Sequence, residues 1–574
     1  MPMDGYSTGE TSGGGAMTRR TFATVCASLG LSTAGFAEAL ADEAGDAAVV
    51  TPGMIEAAGT AAGLELNPDE LERLAKGVNG LIEAYRALRT VPIGNDIQPA
   101  LAFNPLLPGT MTPVERKPLR FEPQGDAMPA DDRELAYCTV TRLARLIETR
   151  RITSTRLTKR YLERLKRYDP ILKCVVALTE SRALAQAERA DREIAAGNYR
   201  GILHGIPWGV KDLFAVSDYP TAWGAGCYRD RIIDTDSTVV ERLDAAGAVL
   251  IAKLSTGRFA SGPRWFGGET KNPWNTDMDS SGSSAGPGAA TAAGLVGFAV
   301  GTETRGSIAG PSERCGVTGL RPTFGRVSRH GAMALCWSMD KPGPLCRSAE
   351  DCAAVLNAIH GTDGRDISAV DMPFNYDYSM DVRKLRVGYV EGEFSGAEGS
   401  PGERAAKNQA LYAAVLDTLR NMGVRLVPIE IPDFAQNLAY IVLCTEAATA
   451  LDYMNTAMDD LVEDDGSPVK RYPEYRFVPA VEYLQVNRYR TLVMREMARV
   501  MESVDAYVTP TFVGPTNYLT NMTGHPEVIL PCGFREGMPV AISFVGGLWR
   551  EGELLALARA YQMATGFHER HPSL

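Results

Sequence analysis

The chain has 574 residues, of which 45% are hydrophobic and 22% charged, close to ordinary globular averages. This excludes a mainly disordered, collagenous or disulfide-scaffold protein, and the length suits one large enzyme fold or a few ordinary domains. Lys and Arg number 59 against 70 Asp and Glu, a net charge of −11, and without a long basic run this argues against nucleic acid as a partner.

Met1 to Ala16 is polar and rich in Gly, Ser and Thr, so it reads as a disordered start. Next comes Thr18-Arg19-Arg20-Thr21-Phe22, an uncharged stretch to Ala37, and the exit Ala39-Leu40-Ala41. A basic pair, a moderately apolar core and a small-x-small exit is the layout of a secretion signal. The paired arginines make it similar to a twin-arginine signal. Residues 1–41 are therefore expected to be removed after Ala41 and the protein exported, to the periplasm or beyond the cell. The core of the signal is too short to span a bilayer, and no later stretch approaches ~20 apolar residues, so no stable membrane insertion is expected after cleavage.

Residues 42–130 read as a helical arm and a strap. Asn67-Pro68-Asp69-Glu70 is a helix start, with a cap, a proline in the first turn and acids at the positive end. Leu71, Leu74, Val78, Leu81, Tyr85 and Leu88 follow as one apolar helical stripe. Eight prolines between Pro92 and Pro129 then break both helix and ladder, which predicts an extended strap. From Asp131 to the C-terminus, helical and strand patterns alternate. Thr155–Tyr168, Glu180–Ala196, Arg242–Ala246 and Ala353–His360 read as helices, and Ala248–Ala252 and Val296–Val300 as short buried strands. Such alternation predicts an α/β fold around a largely buried sheet.

Three segments carry chemistry. Gly205-Ile206-Pro207-Trp208-Gly209-Val210-Lys211-Asp212 holds a lysine inside an apolar run, where lysine is seldom buried without a purpose. The Ser/Gly cluster Asp279 to Gly288 runs straight into the small-residue helix Ala289–Gly294. Alone such a cluster is more often a flexible linker, although the helix behind it implies close packing. Gly301-Thr302-Glu303-Thr304-Arg305-Gly306-Ser307-Ile308-Ala309-Gly310-Pro311 leaves the end of a strand, where α/β folds place their sites. Ten cysteines include Cys26 in the signal, leaving nine and hence at least one unpaired thiol. No Cys-x-x-Cys occurs and the six histidines are scattered, so neither metal nor cofactor is expected.

Together these segments resemble the amidase signature family of serine hydrolases. Further matches are Leu203-His204-Gly205-Ile206-Pro207, Asn272-Pro273-Trp274-Asn275, Cys315 to Thr323, Gly325-Arg326-Val327-Ser328, Leu530 to Phe534 and Ala564 to His568. The resemblance covers roughly three quarters of the chain. It implies a large mixed central β-sheet covered by helices on both faces, and hydrolysis of a small-molecule carboxylic amide to carboxylate and amine or ammonia. It also implies a Ser–cis-Ser–Lys triad, with Lys211 as the base, Ser283 as the bridging serine behind a cis peptide bond, and Ser307 as the nucleophile. Backbone N–H groups of Thr304, Arg305, Gly306 and Ser307 would hold the oxyanion, at ~3 kcal/mol per donor by analogy with other hydrolases. Burial would lower the Lys211 ammonium from its usual ~10.4, so that its free amine draws a proton through Ser283 from Ser307.

Where the family usually reads Gly-Gly-Ser-Ser-Gly-Gly-Ser, the chain has Ser281-Gly282-Ser283-Ser284-Ala285-Gly286-Pro287. It departs also at Arg305 in place of a glycine and at Ala309, where many relatives carry arginine. Arg305 either points to solvent or presents its guanidinium at the pocket mouth to a carboxylate or carbonyl. Trp265 and Phe266, with Tyr440 and Tyr453, are candidate substrate liners. The same trio would also serve an ester or carbamate hydrolase, or a glutamine-hydrolysing amidotransferase A-type subunit. The arm is weakly similar to the small helical partner subunit of tRNA-dependent amidotransferases and reads as a stabilising wrap. A homodimer stays open.

Overall fold

The structure is a computed structural model that describes residues 50–61, 65–89, 101–394, 402–452, 472, 475 and 478–574. The segment Met1–Ala41, expected to be a signal, and the candidate liner Tyr453 lie outside the described residues. The chain divides into two compact units, residues 1–94 and 95–574, so the described part of the proline-rich strap, from residue 101, goes with the larger one.

In the first unit, helices Pro52–Ala61 and Pro68–Arg89 carry the arm. The start of the second is closed reciprocally. Asn67 Oδ1 accepts the Glu70 N–H at 3.0 Å and Glu70 Oε2 accepts the Asn67 N–H at 2.8 Å, a capping box that satisfies two donors at the helix end. Asn79 then clasps Val50, accepting its N–H and donating to its carbonyl, both at 2.8 Å.

The second unit is built on strands β1 (Val175–Leu178), β2 (Pro207–Lys211) and β3 (Val249–Leu254). Two short hairpins follow, β4 (Arg264–Trp265) with β5 (Gly268–Glu269) and β6 (Lys271–Asn272) with β7 (Asn275–Asp279). Then come β8 (Phe298–Glu303), β9 (Thr318–Arg321), β10 (Lys341–Cys346), β11 (Arg386–Val390), β12 (Arg425–Ile429), β13 (Ala506–Pro510), β14 (Glu527–Arg535) and β15 (Met538–Gly546). Outside the hairpins, eleven strands form one sheet in the order β1-β3-β2-β8-β10-β9-β14-β15-β13-β11-β12. It is mixed, because β2 runs parallel to β3 and β8 while β10 runs antiparallel to β8. Every residue of β2, β3, β8, β9, β10 and β13 is buried, as expected where helices flank a sheet. The expected α/β fold with a large mixed sheet is what the chain forms.

Two boundaries differ from the sequence reading. The strand expected at Val296–Val300 is β8, Phe298–Glu303, and the helix expected at Ala289–Gly294 is Ala285–Ala292. Hydropathy stops a strand at its first polar residue, yet Thr302 and Glu303 are buried and pair with Pro342 and Lys341 of β10. The ladder and partners distant in sequence satisfy them, so the strand runs on.

The strap lies along this body. Arg120 donates its N–H to the Tyr376 carbonyl at 2.8 Å and accepts from Tyr378 at 3.0 Å, while the Phe103 ring meets Phe324 edge-on at 5.1 Å. Cys174, Cys315, Cys336, Cys346, Cys352 and Cys532 are buried thiols.

Candidate active site

Strand direction brings the chemistry to one edge of the sheet. Val210 pairs with Val300, which puts Lys211, the last residue of β2, beside Gly301 of the parallel β8. Glu303 at the end of β8 pairs with Lys341 at the start of antiparallel β10. On the far side of β9, Arg321 pairs with Glu527 at the start of β14.

Lys211 is fully buried. Its Nζ lies 2.8 Å from Ser283 Oγ, 2.8 Å from Thr302 Oγ1 and 3.4 Å from the Thr302 carbonyl. Burial pushes its ammonium down to about 7, against the opposing pull of the Asp340 and Glu303 charges. A neutral amine has two N–H donors and one lone pair. Thr302 offers acceptors for the donors, which leaves the lone pair for the Ser283 hydroxyl. Thr302 is the neighbour that sequence reasoning missed.

The Gly282–Ser283 peptide bond is cis, and position 282 has room only for glycine. A Cβ there would lie 1.9 Å from the Gly262 carbonyl oxygen. Residues 256–263 therefore press directly on this turn, and the Gly257 N–H donates to the Ser283 carbonyl at 3.2 Å. Ser284 fastens the turn to β8. Its N–H donates to the Ser307 carbonyl at 3.2 Å, and its Oγ donates to the Thr302 carbonyl at 3.0 Å.

Ser307 follows β8 in a turn whose Gly306 has φ +82°, a left-handed backbone that glycine adopts without strain. Ser307 is 9% exposed, more open than the wholly buried Lys211. Among the described residues, its Oγ and the N–H groups of Arg305, Gly306 and Ser307 have no hydrogen-bond partner, and no hydrogen bond joins Ser307 Oγ to Ser283 Oγ. The turn thus carries unsatisfied donors and a free hydroxyl on neighbouring residues.

A buried ion cluster holds this turn from behind. Glu303 accepts the N–H groups of Ile308 and Ala309, both at 2.9 Å, where helix Ala309–Cys315 begins. It also accepts from Arg321 Nη1 and Asn521 Nδ2, both at 2.8 Å. These contacts hold its carboxyl at about 2 against burial, with the Arg321 charge the largest lowering cause. Arg321 meets Glu527 at 2.7 Å as well. Burial and the Glu303 charge push the Glu527 carboxyl up, although Arg321 opposes them. An Arg321→Met variant would leave two buried carboxylates facing each other. It should lose about 3–5 kcal/mol of stability, as removal of one partner of a buried pair does. Denaturant unfolding checks this, and a loss under 1 kcal/mol would mean the cluster is unimportant.

Other matched motifs act as supports. Asn272 Nδ2 donates to the Arg314 carbonyl at 2.8 Å and Trp274 Nε1 to the Cys315 carbonyl at 2.7 Å, capping the end of helix Ala309–Cys315. Arg326 is held by Glu551 at 2.5 Å. Asp212, next to Lys211, is neutralised separately by Lys253 at 2.8 Å. Lys341 is a second buried amine, which burial and the Arg321 charge push down to about 7. It donates to the Met339 carbonyl.

The candidate substrate residues divide. Trp265 Nε1 donates to the Lys173 carbonyl at 3.1 Å, and its ring meets Phe266 edge-on at 4.8 Å. Phe266 lies under the Arg229 guanidinium at 4.9 Å. No hydrogen bond joins either side chain to Lys211, Ser283 or Ser307 among the described residues. Arg305 does not run out to solvent. It is half-buried over Tyr440, as well as over Tyr518, which the sequence did not single out.

Comparison with known proteins agrees with this layout. The amidase family model matches residues 156–517. The A subunit of the glutamyl-tRNA(Gln) amidotransferase of Methylococcus capsulatus is 35% identical over 484 residues, spanning 76% of this chain and 98% of the relative. The peptide amidase of Stenotrophomonas maltophilia superposes with a TM-score of 0.68 at 30% identity, over 76% of this chain and 98% of that one. An amidase family protein of Bacillus anthracis superposes with a TM-score of 0.68 at 26% identity, over 77% and 94%. The chain belongs to the amidase family, whose members hydrolyse amide C–N bonds.

Proposed function

We propose that this amidase works through an acyl-enzyme on Ser307, with Ser283 as proton relay and Lys211 as base. The observation that carries the reading is a wholly buried amine, brought down to about 7, at 2.8 Å from Ser283 Oγ. In the reacting complex, Ser283 gives its proton to the Lys211 lone pair and takes the proton of Ser307. Ser307 Oγ attacks the amide carbonyl, and the N–H groups of the turn from Thr304 to Ser307 receive the oxyanion. Lys211 then returns the proton through Ser283 to the leaving nitrogen, the C–N bond breaks, and an ester to Ser307 remains. Water enters where the amine left, gives up a proton along the same relay and attacks the ester. The C–O bond to Ser307 breaks, the proton returns through Ser283 to Ser307 Oγ, and the carboxylate leaves. Ser283 and Ser307 must come within hydrogen-bond distance for this, a tightening that catalytic contacts often undergo on substrate binding.

A second reading, hydrolysis of glutamine as an A-type amidotransferase subunit, is favoured by the Methylococcus capsulatus relative at 35% identity. One experiment separates the readings. The purified chain is treated with an alkyl fluorophosphonate and mapped by intact and peptide mass. It is also assayed on primary, aryl and peptide amides, carbamates, esters and glutamine. We expect one adduct, on Ser307, and amide turnover without a partner protein. An adduct on another serine, or no adduct under conditions that label a control hydrolase, refutes the acyl-enzyme. Ammonia release from glutamine alone favours the second reading.

A further inference from the structure

We propose that Arg305 forms an anion subsite beside Ser307, so that the amides this enzyme prefers carry a carboxylate close to the scissile bond. The proposal rests on the acyl-enzyme reading and names its substrate class.

Arg305 stands two residues before Ser307, in the same turn. Its Cζ lies 4.7 Å from the centroid of the Tyr440 ring and 4.6 Å from that of Tyr518. Those rings are tilted together at 6.0 Å, with their hydroxyls 3.3 Å apart. The guanidinium thus rests on a tyrosine pair, a platform that attracts a cation without neutralising it. Nη1 donates to the Tyr518 hydroxyl, the one acceptor it meets among the described residues. Nε is buried and has none.

A guanidinium has five N–H donors and seldom leaves them idle inside a protein. Arg321, Arg326, Arg347 and Arg490 each reach a carboxylate or a main-chain carbonyl, although Arg321 Nε is likewise without a partner. Arg321 and Arg326 hold carboxylates, and Arg347 reaches the carbonyls of Cys138 and Val296. Arg490 reaches the carbonyls of Met522 and Ser338. Arg305 reaches neither a carboxylate nor a carbonyl among the described residues, and it stands two residues before the nucleophile. A planar two-oxygen anion is the partner that a fixed guanidinium edge fits best. Phe512 completes the surroundings. It is 38% exposed, and its ring passes 3.3 Å from where a Cβ on Gly306 would stand. An apolar wall and a cation therefore flank the same turn.

The test uses matched amides that differ by a carboxylate or an uncharged carboxamide of equal size. One pair carries the group on the acyl side and another on the leaving amine. The readout is the ratio of kcat/KM, anionic over neutral, in wild type, Arg305→Gln and Arg305→Lys. We expect wild type to favour the anion by about tenfold or more in one of the pairs, as a lone charged hydrogen bond allows. The ratio should fall to near one in Arg305→Gln and recover partly in Arg305→Lys. No anionic preference in wild type, or an unchanged ratio in Arg305→Gln, overturns the proposal. Should Arg305→Gln fail to fold, wild type decides alone, through inhibition by product carboxylates against the matching carboxamides. At least tenfold tighter inhibition by the carboxylates supports the subsite, and equal inhibition overturns it. Failure of the acyl-enzyme itself is read separately, as absent turnover of the neutral amides together with an unlabelled Ser307.

Discussion

Ser307→Ala should reduce amide turnover to background, a loss on the order of 10⁶-fold in kcat if this serine behaves like other covalent nucleophiles. The change removes one oxygen from a 9%-exposed side chain whose hydroxyl makes no protein contact among the described residues. The backbone of the turn, with Gly306 at φ +82°, tolerates alanine at the next position. The melting temperature should therefore stay that of wild type while the rate collapses and the fluorophosphonate adduct disappears. Full activity in Ser307→Ala, purified from a host without amidases, would falsify the acyl-enzyme outright. Activity that persists only in the first turnover would instead move the nucleophile to Ser283, the neighbouring hydroxyl.

Lys211→Met carries the second-largest effect, a fall of roughly 10²–10⁴-fold at pH 8, the range that a general base contributes. Its companion is a pH profile. The amine is active when uncharged and is brought to about 7, so wild-type kcat/KM should drop about tenfold per unit as pH falls below 7. Stability runs in a definite direction. Between about 7 and 10.5 the unfolded chain binds a proton that the folded chain does not, so this group makes the fold more stable as pH rises through that window. Methionine removes the cost of burying the ammonium. Lys211→Met should thus melt no lower than wild type at pH 7, which separates lost chemistry from lost structure. Lys341, also held near 7, is the rival source of the acid limb. Lys341→Gln should keep the limb if Lys211 is the base, and a limb that vanishes there reassigns it.

The elements that local pattern can carry were legible. The cap at Asn67, the helices near 155–168 and 180–196, and the α/β alternation follow from spacing within a few residues. Lys211, Ser283 and Ser307, the proposed trio, stand in chemically odd company, a cation in an apolar run, hydroxyls amid glycines and polar residues at a strand end, and the family resemblance assigned their roles. The partners that close the site were not legible. Arg305 reaches Tyr518 across 213 positions and Arg321 reaches Thr520 across 199, and no periodicity within a window links residues so far apart. Thr302 was hidden for another reason. It belongs to a strand whose last residues are polar and buried together, so hydropathy assigned them to a loop. Trp265 and Phe266 stand as aromatics in a loop, where Trp265 bonds the Lys173 carbonyl and Phe266 lies under Arg229.

The mounting of the site divides its evolutionary freedom. Lys211 and Thr302 ride on neighbouring interior strands of an eleven-stranded sheet, where one altered side chain disturbs a whole packed layer. The guanidinium over the tyrosine pair is framed by helices Gln436–Ala450 and Thr516–Thr523 and by residue 512, just past β13. Those supports can drift from one lineage to another while the proton path stays as it is. An ancestor could thus exchange one class of amide for the next by changing a few outer residues, keeping its reaction and altering its diet.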